Sequence, residues 1–268
     1  MANSINTNAG ALVALQNLNN TSRDLSITQN RVNTGQKVSS AKDNGAIFAI
    51  ATNQRAEMGA LDAVKQSMQR GQSIVDVALA AGETITKALE EQKSLAVAIE
   101  SSVAGSAAET AYLADFNALG NEITKALAGA TFDGVNLYSA AAADVEVKTG
   151  TGATDKFVLK ATGAATAVAT AGGAIVRAGA TATAVDTALK GFTAELGALG
   201  TKSKSLERSL TFTSKIQDSL EVGIGNLVDA DLAKESAKLT ALQTKQQLGV
   251  QALGIANQSS SILLGLFR

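Results

Sequence analysis

The chain has 268 residues, a formal net charge of −1, few aromatic residues, and no proline, cysteine, histidine or tryptophan. This balance of charge gives no reason to expect nucleic acid or an anionic membrane as a partner. Without cysteine and histidine, the chain cannot form disulfides or most zinc sites, and it lacks the commonest general base. We therefore expect no enzyme activity, no cofactor and no metal.

The first predicted helix runs from Ile5 to about Val32 in a chain rich in alanine, the best helix former. Ala11, Leu18, Leu25 and Val32 recur every seven residues, which is the spacing of a helix that packs against another helix. The stretch is also rich in Asn and Thr, which form isolated helices poorly. We expect it to be disordered in the free monomer and to need a partner.

Turns are predicted at Gly35 and at Asn44-Gly45, and a long helix follows from Ala46 to about Ser102. At about 1.5 Å per residue this helix would be roughly 80 Å long, so we expect an elongated molecule. A further helix is predicted over 107–127, after a turn at Gly105.

The pattern changes at Asp133-Gly134, a turn signal. Apolar residues at 145–147 and 157–159, separated by a glycine-rich stretch, predict two short strands within a β-hairpin region of about 131–162. Residues 161–183 are almost entirely Ala, Gly, Thr and Val, which favours a loosely structured connection; a weak helix is the alternative.

Helix is predicted again from Thr187 to about Val222, followed by a hinge at Gly223-Ile224-Gly225. The closing stretch, 226–268, carries a second seam with alternating steps of four and three residues, made of Val228, Leu232, Glu235, Leu239, Leu242, Gln246, Gly249, Leu253, Ala256, Ser260, Leu263 and Phe267. Asp229 and Asp231 could ligate a metal, but two acids in the first turn of a helix are better explained by the helix dipole.

These elements predict a mainly α protein, an elongated antiparallel helical bundle or coiled coil with a small β-hairpin insert. Residues 1–43 and 225–268 would form a discontinuous terminal coiled-coil domain, and residues 44–224 a helical rod domain. Both terminal seams are interrupted by polar residues or glycine, so a lone helix gains little from them. We expect such ends to be completed by copies of the same chain.

Several motifs resemble those of bacterial flagellins. At the start these are Ile5-Asn6-Thr7-Asn8 and the block from Arg31-Val32-Asn33-Thr34-Gly35 to Asp43. Phe132-Asp133-Gly134 is similar to the family's turn before its β region, and the stretch from Asn226 to Ser236 is similar to its closing block. The motifs cover both ends in the family's order, and the middle is short, as in a compact flagellin without large outer domains.

The resemblance implies a subunit of the helical flagellar filament that swimming bacteria use. Its partners would be other flagellin copies, the flagellar cap, hook-associated proteins and an export chaperone. The protein would be extracellular, exported by the flagellar type III apparatus without a cleavable signal peptide. The expected assembly residues of the terminal coiled coil are Ile5, Leu12, Leu18, Leu25, Val32, Leu232, Leu239, Leu242, Leu253, Leu263 and Phe267.

One segment departs from the family. Flagellins sensed by an animal toll-like receptor carry the form Leu-Gln-Arg-x-Arg-Glu-Leu, and the matching stretch runs from Leu89 through Glu91 and Lys93 to Leu95. Glu91 stands at the position of the key arginine, the first of the two in that form. We expect weak or absent receptor activation, because a contact shaped for a cation meets an anion.

Two other functions stay open at this point. A hook–filament junction protein has similar ends, although the closing block and short middle favour flagellin. A signalling coiled coil would need unbroken heptads and no β insert.

Overall fold

The computed structural model describes residues 8–139, 143–161 and 175–265, with side chains as far as Gln258. The predicted fold class is confirmed: helices dominate, and one two-stranded antiparallel sheet interrupts them. In chain order the elements are α1 (Ala9–Thr34), α2 (Gly45–Ser101), α3 (Ala107–Gly129), β1 (Val145–Lys148), β2 (Lys156–Leu159), α4 (Ala182–Val228) and α5 (Leu232–Gly265).

The helix ends follow local side-chain chemistry. α1 starts where the Asn8 side chain accepts a hydrogen bond from the Ala11 amide, and it ends at Gly35, whose φ of 71° suits glycine. α3 starts at Ser106, whose hydroxyl accepts from the Glu109 amide. The Glu109 carboxylate in turn accepts from the Gly105 amide, so this helix start is capped from both sides.

The predicted turn and hairpin are both present. Asp133 and Gly134 have φ values of 51° and 75°, and Phe132 and Val135 exchange backbone hydrogen bonds across them. β1 and β2 pair with Val145 opposite Leu159 and Lys148 opposite Lys156.

The predicted hinge at Gly223-Ile224-Gly225 is wrong, because α4 continues through it to Val228. Burial of Ile224 against Ala51 outweighs the poor helix propensity of the two glycines. The chain breaks at Asp229–Asp231 instead. Both acids therefore precede α5 rather than lying in its first turn, and Asp231 caps the helix by accepting from the Ala233 and Lys234 amides.

Of the alanine- and threonine-rich stretch 161–183, residues 162–174 lie outside the described residues. The predicted loose connection extends two residues too far, because α4 begins at Ala182. The Thr181 hydroxyl accepts from the Ala184 amide and so starts the helix.

The chain divides into two compact units, Glu57–Asp218 and the combination of Met1–Ala56 with Ser219–Arg268. In Glu57–Asp218, parts of α2, α3 and α4 enclose a core that includes Met68, Phe116 and Phe192. Tyr138 is fully buried there, donates its hydroxyl to the Ala78 carbonyl, and lies 5.4 Å from the Phe192 ring. The hairpin adds Val147 and Leu159 to the same core.

In the unit of both chain ends, α1 packs against α5, and the segment after α1 lies beside the end of α4. The Lys37 amide donates to the Val228 carbonyl at 2.7 Å, and the Ala230 amide donates to the Gly35 carbonyl at 2.8 Å. These backbone hydrogen bonds join the segment after α1 to the end of α4 and the residues that follow it.

Candidate assembly interface

α1 and α5 run antiparallel over most of their length. The Asn8 amide nitrogen donates to the Ala256 carbonyl at 2.7 Å, and Arg31 reaches Glu235 near the other end of the pair. Between them, Gly249 approaches Leu18 so closely that an added Cβ would lie 3.2 Å from Leu18 Cδ1. A glycine at this seam position brings the two helices together.

The seam residues predicted from the heptad spacing face the partner helix to different degrees. Leu25 and Leu242 are buried, with 9% and 8% exposure. The half-buried members are Leu18, Val32, Leu239 and Leu253. The pair therefore has a thin apolar contact, as expected from seams interrupted by polar residues.

Other predicted assembly residues point away from this contact. Leu12 is 61% exposed and Leu232 is 50% exposed. Ile5 and Phe267 lie outside the described residues, as does the side chain of Leu263. The structure thus brings together six of the predicted residues and leaves two on the surface.

The helix pair exposes more apolar residues than the sequence analysis predicted. Both helices carry further exposed large side chains, namely Val13, Leu15 and Ile27 on α1 and Leu248, Val250 and Ile255 on α5. Ile255 is 70% exposed. Heptad spacing selects one face of each helix, so it could not identify residues on the other faces. A sequence search could have found them as large apolar residues that do not belong to either seam.

The seam also contains polar groups that sequence reasoning did not assign. Arg31 Nη1 lies 3.2 Å from Glu235 Oε1, and the Glu235 side chain is only 13% exposed. Thr28 is fully buried, and its hydroxyl has no hydrogen-bond partner among the described residues. Glu235 Oε2 is likewise buried without a partner among the described residues, and these two unpaired oxygens lower the stability of the isolated helix pair.

The segment between α1 and α2 is a polar turn organised by one carboxylate. Asp43 Oδ2 accepts from the backbone amides and hydroxyls of Ser39 and Ser40. These hydrogen bonds, chiefly those from Ser40, lower the pKa of Asp43. Asn44 then caps α2 by accepting from the Ala46 and Ile47 amides.

The residues of the receptor-like segment lie on α2, in the unit Glu57–Asp218. Leu89 is buried in the core and Leu95 is half-buried. Glu91 is exposed, whereas Lys93 Nζ lies 2.5 Å from Asp186 Oδ1 on α4. Glu91, where the charge is reversed, is therefore open to solvent.

Among the described residues, no group of three or more acidic side chains is placed to hold a metal ion. In the same part of the chain, each helix is too short or too polar to cross a lipid bilayer. The features described on the helix pair are apolar faces, helix caps and ion pairs.

Two family models match the chain, one at each end. Residues 5–143 match the bacterial flagellin N-terminal helical region, and residues 182–267 match the bacterial flagellin C-terminal helical region. The chain belongs to the bacterial flagellin family. These two regions contain all the helices described above, including the α1–α5 pair.

Relatives match over nearly the whole chain. Flagellin FljM of Caulobacter vibrioides is 51% identical over 280 residues, covering 99% of both chains. Flagellin FljN of the same organism is also 51% identical, over 270 residues and 99% of both chains. A flagellin of Brucella melitensis is 37% identical over 284 residues, again with 99% coverage of both.

This flagellin is accordingly a structural subunit of the flagellar filament and not an enzyme. Flagellins polymerise with one another, and the filament that they form is extracellular. The full-length matches favour this function over a hook–filament junction protein and over a signalling coiled coil.

Proposed function

We propose that residues 1–43 and 225–268 form the inner coiled-coil core of the filament and that the helix pair α1–α5 provides its main contacts. The observation that carries this proposal is the row of exposed apolar side chains on a thinly packed pair, with Leu12 at 61% and Ile255 at 70% exposure. Apolar surface of this kind on a soluble subunit marks an interface.

The expected assembly residues have two roles in this proposal. Leu18, Leu25, Val32, Leu239, Leu242 and Leu253 hold α1 and α5 together within one subunit. Leu12 and Leu232 contact neighbouring subunits, and we assign Ile5, Leu263 and Phe267 to assembly as well. Burying one large apolar side chain contributes roughly 1.5–3 kcal/mol, so several such contacts per subunit give a stable polymer.

Folding of the ends is coupled to assembly in this account. The isolated pair has a thin apolar seam and a buried hydroxyl without a partner among the described residues, so its stability is low. Contacts with neighbours then supply the free energy that orders α1 and α5. We propose that each contact joins two different patches, one on each subunit, so that the contacts repeat without closing and give a helical polymer.

The same exposed stripe needs cover before assembly. We assign that role to an export chaperone, and we assign export to the flagellar type III apparatus. The flagellar cap and the hook-associated proteins would contact the same terminal helices at the two ends of the filament. The support for these partners is the family membership together with the exposed apolar residues.

Weak activation of the animal toll-like receptor also stays a prediction. Glu91 is exposed at the position where the activating form has arginine. A receptor-reporter assay should show a weak response to the monomer and a stronger one to the Glu91→Arg variant. Equal and strong responses to both would contradict the prediction.

The proposed core role is tested by removing α5. Deletion of 232–268 leaves α4 and the unit Glu57–Asp218 complete. We expect a soluble folded protein that does not elongate filament seeds, whereas the full chain does. A matched control is Lys156→Ala in β2, which removes only a surface ion pair with Glu146 and should elongate normally. Normal elongation by the deletion variant would refute the role of α5.

A further inference from the structure

An acidic groove lies between α2 and α3 in the unit Glu57–Asp218. Its volume is about 500 Å³, and it is lined by Glu91, Ser94, Leu95, Asp115, Ala118, Leu119 and Glu122. Leu95 and Leu119 are half-buried and form an apolar floor, while the three carboxylates are exposed around it. Within the described residues, none of these three acids has an ion-pair partner.

A patch of opposite character lies on α4 in the same unit. The chain has seven phenylalanines, and the side chain of Phe212 is 65% exposed, which is unusual for so large an apolar residue. Arg208 and Lys215 lie four residues before it and three after it, and therefore on the same side of the helix. Glu207 and Thr211 complete the lining of a shallow depression around them. We call Arg208, Phe212 and Lys215 the Phe212 patch.

The groove and the Phe212 patch of one subunit are too far apart to meet. Lys93 pairs with Asp186, and Gln217 donates to Asp62, so α2 and α4 run antiparallel in a fixed register. The groove is therefore level with Asp186, and Phe212 lies 26 residues further along α4, about 40 Å away at the rise of a helix. Any contact between these two surfaces must join different subunits.

We propose that the Phe212 patch of one subunit docks into the acidic groove of the next subunit in the filament. This inference rests on the proposed filament assembly and names a second surface that carries it. The charges are complementary, because two cations flank the phenyl ring and three carboxylates surround the apolar floor. Phenylalanine and arginine are also enriched at protein interfaces relative to the rest of the surface.

The arrangement explains how one chain provides both halves of a repeating contact. Patch and groove are different surfaces. When two subunits dock, one of them therefore keeps an open groove and the other keeps an open Phe212 patch. The contact then repeats without closing and produces a strand of subunits. Glu91, the residue with reversed charge in the receptor-like segment, becomes a partner for a cation of the neighbouring subunit.

Charge reversal tests the complementarity. We expect E91K/E122K and R208E/K215E to fold as monomers with unchanged helicity, because all four side chains are exposed. Each variant alone should need at least roughly tenfold more protein to elongate seeds, since like charges then face each other. An equal mixture should elongate as well as the unsubstituted chain, because each groove then meets a patch of opposite charge. Elongation by each variant alone at the unsubstituted concentration would overturn the proposal.

Disulfide trapping tests the contact itself and does not depend on charge. The chain has no cysteine, so S94C/T211C places one thiol in the groove and one in the patch. Oxidised filaments of this variant should give a ladder of covalent oligomers, because a disulfide requires Cα atoms within about 7 Å. The matched control is S94C/T201C, which moves the second thiol about 15 Å along α4 and should give no ladder.

The outcomes separate this inference from the proposed function. Filaments that yield a ladder only with S94C/T211C support the contact. Filaments without a ladder, or with equal ladders from both variants, overturn it while leaving assembly by α1 and α5 intact. If the unsubstituted chain fails to elongate seeds at all, the proposed function is wrong and this inference falls with it.

Discussion

Arg31 and Glu235 lie 204 residues apart in the chain and meet in the seam between α1 and α5. Their closest atoms, Nη1 and Oε1, are 3.2 Å apart, and Glu235 is far less exposed than Arg31. We expect Arg31→Ala to lower the free energy of unfolding of the helix pair by about 1–2 kcal/mol, because it leaves a largely buried carboxylate without its cation.

Amide hydrogen exchange in α1 and α5 of assembled filaments measures this effect, because the pair is predicted to be ordered there. The matched control is Arg23→Ala, since Arg23 is exposed and bonds only Asn20 on its own helix among the contacts described. It should change exchange little. Equal acceleration by both substitutions would show that the ion pair does not hold the helices together.

Two glycines of α2 should respond in opposite ways to alanine. A Cβ on Gly82 would lie 2.2 Å from Leu196 Cδ2 and 2.7 Å from the Tyr138 hydroxyl, whereas nothing lies within 4 Å of one on Gly59. Gly82→Ala should therefore destabilise the protein by about 1–3 kcal/mol despite better helix propensity. Gly59→Ala should stabilise it by about 0.5–1 kcal/mol. Urea unfolding of the monomer checks both, and stabilisation by Gly82→Ala would contradict the packing described here.

Asp186 should make stability depend on pH in the acid range. Hydrogen bonds from Lys190 and Lys93, together with their positive charges, lower the pKa of Asp186 from 3.8 to about 2. A carboxylate with a lowered pKa stabilises the fold above its unfolded value and loses that effect as the pH falls through its folded value. The Tm difference between the unsubstituted chain and Asp186→Asn should thus be constant above pH 3.8 and shrink towards pH 2.

The matched control for this profile is Asp76→Asn. Asp76 is exposed and has no ion pair among the described residues, so its substitution should shift Tm little at any pH. If the Asp186→Asn difference grew on acidification, the sign of the assigned interaction would be wrong.

Substitutions at the two kinds of apolar residue on α5 should separate contacts between subunits from the contact between α1 and α5 within one subunit. Leu248 and Ile255 are exposed, and Leu242 is buried against α1. Leu248→Ala or Ile255→Ala should raise the critical concentration for polymerisation about tenfold while leaving the monomer unchanged, because roughly 1.5 kcal/mol of burial is lost only in the filament. Leu242→Ala should weaken the contact between α1 and α5 within each subunit by about 2–3 kcal/mol, and so reduce the protection of both helices in filaments. Sedimentation of filaments measures the first effect, and amide hydrogen exchange of α1 and α5 in filaments measures the second.

Much of the helical framework could be predicted from the sequence because its signals are local. Spacing of apolar residues predicted α2 and both terminal helices, and Asp133-Gly134 predicted a turn that the structure contains. Helix ends at Gly35 and Ser106 follow from the preference of glycine for positive φ and from hydroxyl capping. These features depend on only a few neighbouring residues.

The errors arose where distant contacts decide the outcome. Gly223 and Gly225 look like a hinge, but Ile224 and Val228 are buried in a small cluster with Ala51, some 170 positions earlier in the chain. Heptad spacing likewise identified Leu25 and Leu242 but could not show that Leu12 and Leu232 stay exposed. The groove at Leu95 and Leu119 required the register of two helices, which no single stretch of sequence contains.

The central claim, that the terminal helices acquire their stability in the filament, is tested most directly by hydrogen exchange of Ala9–Thr34 and Leu232–Gly265 in dilute monomer and in filaments. We predict fast exchange of these amides in the monomer, strong protection in the filament, and protection of the Glu57–Asp218 core in both states. Full protection of both terminal helices in the dilute monomer would contradict the account.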